Sequence, residues 1–367
     1  MTEQELSAYI QAIRPADEAA MEAARRRQAQ LAKPPGSLGQ LEEISIRLAG
    51  VTGQVCPAMG KCRVAVFAAD NGVVAEGVSC TPPAVTLQQA VNMTFRKTGM
   101  SAMAAAFGDD VSVVDVGIDG DVPPVGVLDR KVRRGTGDIA REDAMTRQQA
   151  LDAMAAGMEQ AARARADGVT ALGIGEMGIG NTTTSAAVLA ALTGADIEAV
   201  TGRGGGLTDE GFLRKKEVLR QALALHRPNG NDVIGVLAGV GGLDLAAMTG
   251  AFLGCAHERV PAAVDGFISI AAALCAVRLC PAVRDVLFLS HDSYEVGYRI
   301  AAEALGLQPC LRLGMRLGEG SGCPLLFRVL EGACGVMRGM ATFGEASIED
   351  SYLDEIRAMD AFTVEGA

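Results

Sequence analysis

The chain has 367 residues, 49% of them apolar, with 45 glycines, no tryptophan and a formal net charge of −11. That length accommodates two domains, or one large domain with an appendage, around a sizeable core. The acidic balance and the scarcity of aromatics argue against a nucleic-acid partner, so an anionic small molecule would have to be held by local donors.

Residues 1–60 read as helical, and the acidic start Met1-Thr2-Glu3-Gln4-Glu5 is not that of a signal peptide. Beyond them, short β-branched runs end in Gly, Asp or Ser, and a helix-like segment follows most of them. Residues 63–69 lead into Asp70-Asn71-Gly72, 111–116 into Gly117, 169–174 into Gly175, 233–237 into Ala238-Gly239, and 285–289 into Ser290-His291-Asp292-Ser293. The helical stretches between are 86–95, 146–162, 182–192, 210–225, 243–255, 267–276 and 294–305. Near-continuous apolar strands alternating with helices predict an α/β protein built on a parallel sheet flanked by helices. In such a sheet the ligand sits outside the carboxyl ends of the strands, where the polar residues after each run would converge. The longest apolar run, 262–279, is interrupted by Asp265 and Gly266 and reads as buried structure, not as a membrane span.

The nine cysteines are Cys56, Cys62, Cys80, Cys255, Cys275, Cys280, Cys310, Cys323 and Cys334. The count is odd, no C-x-x-C pair occurs, and His226, His257 and His291 stand at no zinc-ligand spacing. Reduced, mostly buried thiols of a cytoplasmic protein are the expectation, with no metal site.

Gly314-Met315-Arg316-Leu317-Gly318-Glu319-Gly320-Ser321-Gly322 carries the strongest chemical signal. It sets one carboxylate among glycines and apolar neighbours, where desolvation raises a carboxyl pKa toward neutrality and suits it to proton transfer. A surface turn with its Glu in water has the same spacing. A second segment, Gly175 to Thr184, follows a strand and opens a helix. It nearly matches the phosphate loop, but Asn181 stands where that motif has Lys, which argues against a nucleoside triphosphatase. Free N–H groups at the helix start would still suit a monophosphate, or simply belong to a helix capped by Asn181 or Thr182. In the third segment, Thr201-Gly202-Arg203-Gly204-Gly205-Gly206, glycines let backbone approach a ligand. Thr208 or Asp209 then caps a helix bearing Lys215 and Lys216, which diverge by about 100° so that one can reach the site. Ser79 and Gln88, near apolar residues after Asp70, suit a flat ligand needing one or two hydrogen bonds, and also suit an ordinary loop. Asp265 and Ser293 follow two further strands and would contact a ribose or phosphate, or cap the next helix.

In order along the chain, Lys33-Pro34-Pro35-Gly36-Ser37-Leu38-Gly39, Glu76-Gly77-Val78-Ser79, Arg134-Gly135-Thr136, Gly173 to Thr182, Gly202-Arg203-Gly204, Ser290-His291 and Gly314 to Gly320 resemble the motifs of one family. That family is the nicotinate-nucleotide:dimethylbenzimidazole phosphoribosyltransferases, which make the lower-ligand nucleotide of cobamides. Asn71 stands where a His is common, and Gly205 where Thr is common. The resemblance implies a Rossmann-like three-layer domain over residues 61–310 and a smaller, mainly helical domain from 1–60 and 311–367 that contributes the Glu loop. It implies transfer of 5-phosphoribose from nicotinate mononucleotide to 5,6-dimethylbenzimidazole or a related base, with no cofactor and no metal, in a cytoplasmic homodimer. Glu319 is then the general base, with Glu176 a second carboxylate near the ribose. Ser79, Gln88 and Leu317 form the base pocket, and Gly178, Gly204, Lys215 and Ser293 the phosphate site, with Asp265 nearby. Two rival readings are a non-catalytic nucleotide-binding protein on the same fold and a dinucleotide-dependent dehydrogenase. The two carboxylates count against the first, and Leu207, in the last position of a G-x-G-x-x-G, counts against the second.

Overall fold

The computed structural model describes residues 1–123 and 126–357. The elements run α1 (Glu3–Ala12), α2 (Glu18–Gln30), α3 (Gln40–Thr52), β1 (Cys62–Ala69), α4 (Val85–Thr94), α5 (Gly99–Phe107), β2 (Asp110–Gly117), β3 (Val127–Asp129) and α6 (Arg147–Ala166). There follow β4 (Ala171–Met177), α7 (Asn181–Thr193), α8 (Ile197–Val200), α9 (Asp209–His226), α10 (Val233–Val240), α11 (Leu243–Glu258), β5 (Ala262–Val264), α12 (Phe267–Leu279), β6 (Leu287–Leu289), α13 (Gly297–Leu305) and α14 (Cys323–Gly339).

The six strands form one parallel sheet in the order β3-β2-β1-β4-β5-β6. β1 is central, and all of its residues except Arg63 are buried, as helices on both faces require. From β1 the chain builds toward one edge through β2 and β3, then returns to place β4 on the other side. That reversal opens a crevice between the carboxyl ends of β1 and β4. α6 and α11 pack together on the sheet. α6 starts in a reciprocal cap between Thr146 and Gln149, which satisfies two backbone donors that no preceding turn can reach.

The α/β expectation holds, with local corrections. Residues 233–237, read as a strand, lie in the helix α10. Asp232 caps it by accepting the Gly235 N–H at 3.0 Å, and seven of its eight residues are buried. A short, wholly apolar run satisfies a buried strand and a buried helix alike, and here the cap and the surrounding helices decide. The strand expected at 285–289 is confined to 287–289, because Pro281 opens a 3₁₀ turn reaching Val286. β3 and α5 gave no readable periodicity.

α2, α3 and α14 meet over a second, small core of Ala20, Ala24, Leu31, Ile46, Ala49 and Met337. It is not isolated, because Ile44 and Leu48 of α3 and Leu326 and Phe327 of α14 belong to the main core. α1 lies apart from this bundle, and the chain's amino terminus pairs with Asp152 of α6 at 3.0 Å. The Lys33-Pro34-Pro35 turn is fastened to α3 by a buried ion pair, Lys33 to Glu42 at 2.6 Å. Residues 358–367 of the expected helical unit lie outside the described residues. Among the described residues no helix is long and apolar enough to cross a membrane.

Candidate active site

A cavity of about 270 Å³ opens at the carboxyl ends of the strands, on the β1–β4 crevice. β4 delivers Glu176 to its floor, followed by Met177, Gly178, Ile179 and Gly180 before α7 begins. Gly180 takes a left-handed conformation (φ 93°) and caps α7 without any side chain. Asn181 is therefore free for another task. Its side-chain amide donates to Glu176 Oε2 and, at 3.0 Å, to Asp244 Oδ2 at the start of α11. Burial pushes the Glu176 carboxyl up to about 8; the Asn181 hydrogen bond opposes this, and the charges of Asp244 and Asp265 add to it. Burial likewise lifts Asp244 to about 6.

Glu319 reaches the same cavity from the loop between α13 and α14 and is 5% exposed. Its Oε2 accepts the Met100 N–H at 3.0 Å, in the first turn of α5, where free N–H groups and the helix dipole favour a carboxylate. Its own N–H donates to Glu176 Oε1 at 3.2 Å, so the two carboxylates are tied together through backbone. Glu319 has a φ of 62°, a conformation that costs a non-glycine residue roughly 1–3 kcal/mol and persists only where its surroundings impose it. Gly175 makes the approach possible, since a Cβ there would lie 2.6 Å from the Glu319 carbonyl oxygen.

Gly178, Thr182, Gly204 and Gly205 also line the cavity. Lys215, on α9, sits behind Thr182 and Gly204 and is fully buried. Its Nζ donates to Thr182 Oγ1 at 2.8 Å and to the Gly202 carbonyl at 3.2 Å. Burial lowers its pKa to about 8, against the opposing charge of Glu295. Thr208 caps α9 by accepting the Gly211 N–H at 3.2 Å. Lys216 faces away, pairs with Glu198 and lies over the Phe212 ring.

The cavity thus gathers Glu176, Glu319, Ser79, Leu317, Gly178, Gly204 and Ser293, with Lys215 one layer behind. Two expectations are corrected. Gln88 is exposed on α4, and Gln89, about 100° further round, lines the cavity instead, because buried Thr86, Ala90 and Met93 fix which face of α4 turns inward. Asp265 does not line the cavity at all. Its Oδ2 accepts the Gly320 N–H at 3.1 Å and its Oδ1 the Gly322 N–H at 2.7 Å, beneath the Glu319 loop.

Several other residues gave no readable signal. Asp244 opens an apolar helix, and Glu295 lines the cavity with one buried, unpartnered carboxylate oxygen. The Arg134-Gly135-Thr136 motif is a support, since Thr136 Oγ1 accepts the Gly72 N–H at 3.0 Å and holds the loop after β1. Among the described residues no group of three or more His, Cys, Asp or Glu side chains is arranged to hold a metal ion.

A family model described as phosphoribosyltransferase matches residues 13–348. The nicotinate-nucleotide–dimethylbenzimidazole phosphoribosyltransferase of Clostridium perfringens strain 13 is 46% identical over 341 residues, 93% of this chain and 94% of that one. The enzyme of the same name from Geobacter metallireducens is 46% identical over 347 residues, 94% of this chain and 98% of that one. The crystal structure of CobT from Thermus thermophilus superposes with a TM-score of 0.88 at 45% identity, covering 91% of this chain and all of that one.

Proposed function

The chain belongs to the nicotinate-nucleotide–dimethylbenzimidazole phosphoribosyltransferase family, and from that membership we propose how its cavity works. The enzyme transfers the 5-phosphoribosyl group of nicotinate mononucleotide to 5,6-dimethylbenzimidazole or a related base, giving α-ribazole 5′-phosphate and nicotinate in cobamide nucleotide assembly. The bond from C1′ to the pyridinium nitrogen breaks, its electron pair leaves with neutral-ring nicotinate, and a base nitrogen bonds to C1′ from the opposite face. The β-linkage is thereby inverted to α. The proton on the other nitrogen of the incoming base passes to Glu319, the general base, and from there to water. Glu176, beside it, stabilises positive charge growing at the anomeric carbon through its carboxyl oxygens, or supports Glu319 through the Glu319 N–H.

The observation that carries this reading is the meeting of two buried carboxylates, Glu176 and Glu319, in one cavity that is also lined by glycine backbone, with a buried lysine one layer behind. Ser79, Leu317 and Gln89 suit the flat base. Gly178, Gly204, Ser293 and Lys215 suit the 5′-phosphate. We read α2, α3 and α14 as a small helical unit braced on the larger one. We also propose a cytoplasmic homodimer, supported by exposed apolar side chains near the cavity, Leu313 and Leu317 at 58% and 57% exposure, with Tyr294 and Val296. Light scattering on the purified chain tests the dimer. The activity is tested by incubating the chain with nicotinate mononucleotide and the benzimidazole and identifying both products by mass spectrometry. Binding of the mononucleotide without nicotinate release would leave a nucleotide-binding protein instead.

A further inference from the structure

The loop carrying Glu319 has an unusual backbone. Gly318, Glu319 and Gly320 have φ values of 83°, 62° and 85°, three left-handed residues in succession. Backbone N–H groups that such a loop leaves without carbonyl partners can hold anions. Here the anions are internal. The Glu319 N–H meets Glu176 Oε1 at 3.2 Å, the Gly320 N–H meets Asp265 Oδ2 at 3.1 Å, and the Gly322 N–H meets Asp265 Oδ1 at 2.7 Å. Asp265 is 2% exposed and stands just beyond β5, as Glu176 stands at the end of β4. Its own backbone carbonyl accepts from Ser290 Oγ at 3.2 Å, and His291 Nδ1 lies 3.8 Å from its Oδ1.

We infer that Asp265 is a positioning residue: both of its oxygens grip the backbone on the far side of Glu319 and hold that side chain, in its left-handed conformation, aimed into the cavity. Asp265 is buried and both of its oxygens are already taken by loop N–H groups, so its observed contacts are with the loop. A carboxylate matches two N–H donors with two acceptors, whereas an amide matches one donor and opposes the other. The inference rests on the reading of Glu319 as the base, and it concerns how that base is aimed.

The test is a double-mutant cycle in the full-length chain. Asp265→Asn should lower kcat about 10–100-fold, the scale of loss from misplacing a catalytic group by about 1 Å, while KM for the mononucleotide and the base stays within about threefold. In a Glu319→Gln background the same change should lower the residual single-turnover rate by less than about threefold, because there is no base left to aim. Equal losses in both backgrounds would overturn the inference, as would a KM effect confined to the mononucleotide. Hydrogen exchange on the unmutated chain gives a second readout that needs no variant to fold. The amides of Gly320 and Gly322 should be protected to the level of β4, and exchange as fast as that of exposed loops would overturn the clamp. A wild-type chain that releases no nicotinate breaks the functional reading and leaves the exchange measurement to decide the clamp. Wild-type turnover with an unimpaired Asp265→Asn breaks the clamp alone.

Discussion

Two clusters at the cavity solve opposite electrostatic problems. At the end of the sheet, Glu176 and Asp244 are buried together, and what compensates them is neutral: the Asn181 amide and, for Glu176, the Glu319 N–H. Burial without a cation raises their proton affinity, most visibly at Glu176. Among the glycines, Lys215 is buried against two neutral oxygens, and burial lowers its pKa to about 8 against the charge of Glu295. Each cluster is thus incomplete in its own sense. The first holds a proton at Glu176 near neutral pH. We read the second as a place for a dianion, which would hold the lysine protonated to higher pH.

The two clusters should fail in different ways. The largest effect should come from Glu319→Gln, with kcat down roughly 10²–10⁴-fold and substrate binding retained, as for a positioned general base. Steady-state kinetics with product identification measures it, and near-normal turnover would remove Glu319 from the chemistry. Lys215→Ala should lower kcat/KM for nicotinate mononucleotide about 10–100-fold, the scale of a charged hydrogen bond, yet barely affect the riboside that lacks the phosphate. Equal losses on both substrates would make Lys215 a structural residue.

A smaller effect concerns stability. The folded-state pKa of Glu176, about 8, lies above the ordinary value of 4.5. Between those values the native state keeps a proton that the unfolded chain has released, so the stability from this group is fully present below the lower value and is lost as pH rises through the upper one. Glu176→Gln abolishes the titration. Its Tm relative to wild type should therefore climb by a few degrees, roughly, between pH 5 and pH 8. A difference that is flat across that window would mean that Glu176 is charged throughout. The smallest effect is at Lys216, which pairs with Glu198 at the surface. Lys216→Ala should change kcat/KM by less than about twofold, as expected of an exposed ion pair. A loss there exceeding that at Lys215 would reassign the phosphate contact.

Much of this arrangement was legible in the residues. Alternating apolar strands and helices announced a covered parallel sheet, because only a strand buried on both faces dispenses with polar residues. The Gly-rich loops around Glu176, Gly204 and Glu319 marked places where backbone must come close, and the structure puts all three on one cavity. The run at 233–237 was ambiguous because a fully apolar segment has no polar face from which to read a period. Gln88 and Gln89 are chemically identical neighbours, and only the packing of Thr86, Ala90 and Met93 decides which one faces inward.

What the sequence determined by itself, then, was the layer architecture and the Gly-rich loops that meet at the cavity, since both follow from local residue type and spacing. The tertiary structure alone decided the partners. Asp265 follows a strand and reads as one more polar residue facing the crevice, yet it turns beneath a loop that begins some fifty residues later, with Gly320 and Gly322 at sequence separations of 55 and 57. Asp244 opens an apolar helix, yet the amide it meets belongs to Asn181, 63 residues earlier. No local pattern encodes such pairings. They exist because the parallel sheet brings the carboxyl ends of distant strands to one edge, where burial obliges every charge to find a donor.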